Sequence, residues 1–215
     1  MNKKIFAILM FCLFSQFAFA TKIILVIPDE EGPAFWNMVH QVSAASAKSL
    51  DVELEVIYGG ANRFATRSII DNIVARPIKP DYLIFRPFHG NAVATFERIE
   101  ARGISFVTLE QAFSGEEAKK LQHPKQKYQH WIGEITYDNV RGGELLLNTL
   151  LAEQRIRSPT IKPSIIGIGG DFDNLSLSRQ QVLTNIELSN EGNLNQVFPT
   201  YWDPQNVASN FAMMS

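Results

Sequence analysis

The chain has 215 residues, 46% hydrophobic and 20% charged, with 20 Lys and Arg against 22 Asp and Glu and a net charge of −2. Mild acidity argues against nucleic acid or an anionic membrane as the partner. The single cysteine, Cys12, lies in an N-terminal apolar run. Once that run is removed, a disulfide framework, thiolate catalysis and cysteine-ligated metal are excluded together.

Residues 1–20 read as a cleavable secretory signal. Lys3 and Lys4 form the positive start, residues 5–14 the apolar run, and Ala18-Phe19-Ala20 places small residues where a signal peptidase reads. Ser15 and Gln16 interrupt the run short of the ~20 apolar residues a membrane span needs, so no stable membrane anchor is expected. Phe11 before Cys12 is too large for lipoprotein processing.

The rest alternates short apolar segments with amphipathic ones. Residues 22–28 (KIILVIP) read as a strand buried on both faces, 35–50 as a helix, 52–58 as a strand and 63–75 as a helix. Residues 81–85 (DYLIF) make a third strand, and 91–102 a helix stopped by Gly103. Residues 104–109 (ISFVTL) are the fourth strand, the polar stretch 114–127 a surface loop, and 128–133 a fifth strand. The pattern then restarts: helix 139–153, strand 164–169, helix 175–188, strand 197–201, and a helix from Pro204.

Such alternation predicts parallel sheets in two Rossmann-like α/β domains, 21–138 and 139–215, the second incomplete. A second sheet of two strands lacks neighbours for its edges and faces, so the chain reads as ending before its architecture closes. Right-handed crossovers put the loops that follow each strand on one edge, where open sheets bind ligands.

Phe35 and Trp36 open the helix after the first strand. One of the pair is expected to pack into the core, which leaves the other free to offer an apolar face to a ring. Glu110 ends the fourth strand, where a carboxylate can accept two hydroxyl hydrogen bonds; taken alone, it reads as a solvated loop acid. Arg179, near the start of a helix, suits a neutral or anionic polyol. Gly167-Ile168-Gly169 is not a dinucleotide fingerprint, because Phe172 stands where the third glycine is required. Asp171-Phe172-Asp173-Asn174 fails as a calcium loop at Leu175 and Ser176. His40, His89, His123 and His130 show no metal spacing, and no catalytic serine elbow is present. No enzyme, cofactor or metal is expected.

With these loops placed, the chain resembles the type I periplasmic sugar-binding proteins of ABC transporters, with autoinducer receptors as a near subgroup. The resemblance rests on Phe35-Trp36, residues 80–84 (PDYLI), residues 106–110 (FVTLE), residues 137–143 (YDNVRGG), residues 169–171 (GGD) leading to Ser178-Arg179, and Tyr201-Trp202-Asp203. It implies two domains that close by a hinge over one sugar-like ligand and then dock on an ABC permease or a membrane sensor. It further implies stacking by Phe35, Trp36 and Trp202, and hydroxyl hydrogen bonds from Glu110 and Arg179. Glu110 in place of aspartate, Gln111 in place of arginine and Val182 in place of glycine depart from the pattern and leave the ligand open. Further readings are a periplasmic receptor for an autoinducer-2-like signal, a sugar hydrolase, and a fragment without function that binds no sugar tightly. A repressor of the same fold would need an N-terminal helix-turn-helix where the signal stands.

Overall fold

The computed structural model describes residues 20–28, 34–59, 62–171, 174–189 and 191–214. The expected signal, and most of the loop after the first strand, lie outside the described residues. The chain divides into two units, one of residues 1–109 and 119–135, the other of residues 110–118 and 136–215.

In the first unit the strands are β1 (Lys22–Ile27), β2 (Glu53–Tyr58), β3 (Tyr82–Phe85), β4 (Ser105–Leu109) and β5 (Trp131–Ile135). They form one sheet of order β2-β1-β3-β4-β5, in which every pairing is parallel. The central β1 is apolar throughout its second half because helices cover both faces; Ile24 to Ile27 are 1–2% exposed. On one face, Leu25 and Ile27 pack with Trp36 of helix α1 (Ala34–Leu50), ringed by Val39, Leu54, Val56, Ile84 and Leu109.

The other face carries an aromatic core. Phe96 of α3 (Ala92–Arg102) is fully buried and meets Phe85, Phe106, Tyr128 and Trp131, with ring centroids 4.9–6.1 Å apart. Trp131 satisfies its one polar atom by donating from Nε1 to Thr108 Oγ1 at 3.2 Å. Helix α2 (Arg63–Val74) begins at Asn62, whose side chain accepts from the backbone of Phe64 and Ala65.

The second unit holds β6 (Ser164–Gly169) and β7 (Asn193–Pro199), paired in parallel, with α5 (Asn139–Arg157), α6 (Asn174–Ser189) and α7 (Pro204–Met214). Leu147, Leu151 and Val182 form its core, with Ile165 and Leu183 against them. Its apolar surface is only partly covered, since Ile166 is 44% and Ile168 43% exposed.

Three expectations are corrected. The polar stretch 114–127 contains a short helix, α4 (Gly115–Leu121), whose first turn holds Glu116 and Glu117 and whose last turn holds Lys119 and Lys120. That order suits the helix dipole, and one buried residue, Leu121, anchors it without leaving an apolar period to read. Strand β5 starts at Trp131 rather than at 128, because Tyr128 is buried from a turn-rich stretch and not from a strand. Strand β7 spans 193–199 rather than 197–201, because Tyr201 and Trp202 adopt φ of 54° and 61° in a turn closed by Asp203 N–H donating to the Thr200 carbonyl at 3.0 Å.

Candidate functional site

In the first unit, the strand order reverses at β1, since β2 lies on one side of it and β3 on the other. Ligands of open parallel sheets bind at the carboxyl ends of the strands beside such a reversal. The residues there are those of the α1 start and of the β3–α3 loop. Trp36 is 8% exposed and belongs to the core cluster, while Phe35 is half-buried against the same cluster. Their rings meet edge to face, with centroids 5.1 Å apart and planes at 79°. So Trp36 fixes the ring of Phe35 from behind. After β3, the Arg86 guanidinium lies 4.9 Å over the Phe88 ring. At the end of β2, the Tyr58 hydroxyl and His40 Nδ1 are 2.7 Å apart.

In the second unit, Glu110 is half-buried and holds φ of 57°, a left-handed conformation that a side-chain-bearing residue adopts only when its surroundings enforce it. Gln111 beside it is 4% exposed and donates to the Ala112 carbonyl. Burial pushes the Tyr137 hydroxyl above the usual phenol range; the negative charge of Glu110 adds to the shift and Arg179 opposes it. Glu110, Tyr137 and Arg179 therefore share one electrostatic neighbourhood.

Arg179 itself is exposed, but its guanidinium is held. Nε donates to Asn139 Oδ1 at 3.1 Å, and Nη2 donates to the same oxygen. Trp202 is 58% exposed and lies so close over Gly170 that a Cβ there would meet its ring. Arg179 and Trp202 both border an open, mainly apolar cavity of about 330 Å³, lined also by Leu146, Leu150, Ile166 and Ile168.

The structure thus brings Phe35 and Trp36 into contact in one unit; in the other, the charges of Glu110 and Arg179 act in opposite senses on Tyr137. Reasoning from the sequence did not single out Tyr137 and Asn139 as neighbours of Glu110 and Arg179, although both stand in the quoted YDN stretch. Among the described residues no cluster of three or more His, Cys, Asp or Glu could hold a metal ion, and no helix is long and apolar enough to cross a membrane.

A parallel five-stranded sheet with helices on both faces, followed by a second parallel α/β unit, is the fold of the type I periplasmic sugar-binding proteins of ABC transporters. A periplasmic sugar-binding protein from Pseudomonas fluorescens matches at TM-score 0.73 and 17% identity, over 90% of this chain and 56% of that one. An ABC transporter periplasmic solute-binding protein from Actinobacillus succinogenes, with D-allose bound, matches at TM-score 0.70 and 15% identity, over 91% of this chain and 66% of that one. A glucose-galactose binding protein from Geobacillus stearothermophilus matches at TM-score 0.68 and 18% identity, over 91% and 64%. The chain spans 56–66% of the length of these solved structures. No protein-family model matches the chain, and no curated protein matches it by sequence.

Proposed function

We propose that the chain captures a sugar or sugar-like ligand in the periplasm, without turnover, for delivery to an ABC permease. The observation that carries this reading is the likeness, over 90–91% of the chain, to solved sugar-binding proteins, one of them holding D-allose. Chemistry at the strand ends supports it. A sugar presents C–H patches and hydroxyls, so its receptor needs ring faces and paired donors and acceptors. Phe35, backed by Trp36, and Trp202 supply the faces. Glu110 supplies two acceptor oxygens, and Arg179 supplies hydrogen-bond donors alone.

The test is a fluorescence titration of the purified protein with D-allose and with D-galactose, repeated on Glu110→Ala and Arg179→Ala. The reading expects a saturable change with at least one sugar, weakened about tenfold or more in either variant, the value of one charged hydrogen bond. Equal affinity in the wild-type protein and both variants would overturn the site assignment. No saturable change with either sugar would leave the reading without its principal support.

A further inference from the structure

We infer that Asn139 is the positioning residue of this site, holding the guanidinium of Arg179 in one orientation before any ligand arrives. The inference deepens the sugar-binding reading and rests on it for its functional meaning, while the geometry that carries it lies wholly within the second unit.

Helix α5 buries four residues, Asn139, Gly143, Leu147 and Leu151, spaced four apart and so forming one stripe along one face. Leu147 and Leu151 do the ordinary work of a packed helix, joining Val182 of α6 in the core. The other two members of the stripe both meet Arg179. A Cβ on Gly143 would run into the Arg179 carbonyl oxygen and come within 2.8 Å of Val182 Cγ1, so glycine is what allows α6 to lie this close. One turn earlier, Asn139 is 5% exposed and takes two donors of the Arg179 side chain on a single oxygen. Backbone and guanidinium of one arginine are thus held by two residues of the same helix face.

The grip has a defined direction because Asn139 is itself fixed. Its backbone N–H donates to the Tyr137 carbonyl at 2.9 Å, and its side-chain Nδ2 approaches that carbonyl at 3.4 Å. An arginine can only donate and a carbonyl can only accept, so only one orientation of the amide satisfies both neighbours. Asp138, just before it, caps the helix by accepting from Arg141 N–H at 2.9 Å. Holding Nε and Nη2 together fixes the guanidinium plane. Of five N–H donors, three remain, including both on Nη1, and among the described residues no hydrogen bond engages Nη1. Those donors are the ones a ligand hydroxyl or carboxylate would meet. An apolar residue at position 139 would keep the stripe and lose the aim.

Nuclear magnetic resonance of protein labelled with ¹⁵N-arginine tests this without a ligand. The Arg179 Nε–H signal, assigned by its disappearance in Arg179→Lys, is expected to exchange with water at least about tenfold more slowly in the wild-type protein than in Asn139→Ala. Asn139→Asp, which keeps an acceptor oxygen, should retain the slow exchange. Leu147→Ala, which loosens the same helix pair, should lower thermal stability yet retain it as well, which separates positioning from packing. Equal Nε–H exchange in the wild-type protein and Asn139→Ala would overturn the inference, as would loss of protection in Leu147→Ala equal to that in Asn139→Ala. In a parallel titration with D-allose and D-galactose, Asn139→Ala is expected to bind about 3- to 10-fold more weakly, the cost of immobilising one flexible side chain on binding, and Asn139→Asp within about twofold of wild type on the same scale. Slow Nε–H exchange with no binding of either sugar would uphold the positioning and count against the sugar reading alone. Sugar binding unchanged in Asn139→Ala would overturn the functional part of the inference.

Discussion

Two adjacent glycines of α5 give opposite predictions from one backbone. At Gly142 nothing lies within 4 Å of where a Cβ would stand, whereas at Gly143 the obstacle is the Arg179 carbonyl together with Val182. Gly142→Ala gains helix propensity at no steric cost, about 1 kcal/mol. Gly143→Ala gains the same propensity but must displace the backbone of α6, not a flexible side chain, and overpacking of that kind costs about 1–3 kcal/mol or more. The shared propensity gain cancels, so the two variants should differ by the overpacking cost alone, about 1–3 kcal/mol on this scale. With a denaturant slope of about 1–3 kcal/mol per molar urea, their midpoints should lie on the order of 1 M apart. Pulse-labelled hydrogen exchange at peptides from α5 and α6, read across a urea series, reports the second unit separately from the first. Gly142→Ala should move to higher urea than wild type and Gly143→Ala to lower. If the two variants share one midpoint, the close approach of α5 and α6 at Arg179 is wrong, and the positioning argument built on it falls too.

Burial pushes the carboxyl of Glu134, on β5, above its ordinary value of 4.5, with His123 partly opposing the shift. Because the folded state holds that proton more tightly, the group's contribution to stability is present below the ordinary value and is lost as pH rises through the folded one. Glu134→Gln should therefore melt at a higher temperature than wild type at about pH 7 and show no advantage at about pH 3.5; an equal advantage at both would contradict the burial. Asn62→Ala removes the acceptor for the Phe64 and Ala65 N–H groups and should cost about 0.5–2 kcal/mol by denaturant unfolding. Unchanged stability there would mean that water replaces the cap.

The first unit was legible because its signals are local and repeated. The run of β1 has no polar residue between Ile23 and Ile27, and α3 ends at Gly103, which takes the left-handed conformation a helix stop uses. What failed to show was carried by tertiary contacts. Helix α4 is held by one buried leucine, and β7 ends early because Tyr201 and Trp202 occupy left-handed positions that aromatic residues rarely take. The site divided in the same way. Phe35, Trp36, Glu110, Arg179 and Trp202 are candidates by their places after strands and by resemblance, and they enter the site as a proposal. That Trp36 would sink into the core, and that a buried asparagine forty residues away would grip Arg179, depend on packing between α1 and the sheet and between α5 and α6.

Equilibrium dialysis of the purified protein against radiolabelled D-galactose and D-allose, with the bound fraction recovered and chromatographed, tests capture without turnover most directly. The account predicts saturable retention of at least one of the sugars, recovered chemically unchanged and released by Arg179→Ala. Retention of neither sugar, or recovery of a converted product, would contradict it.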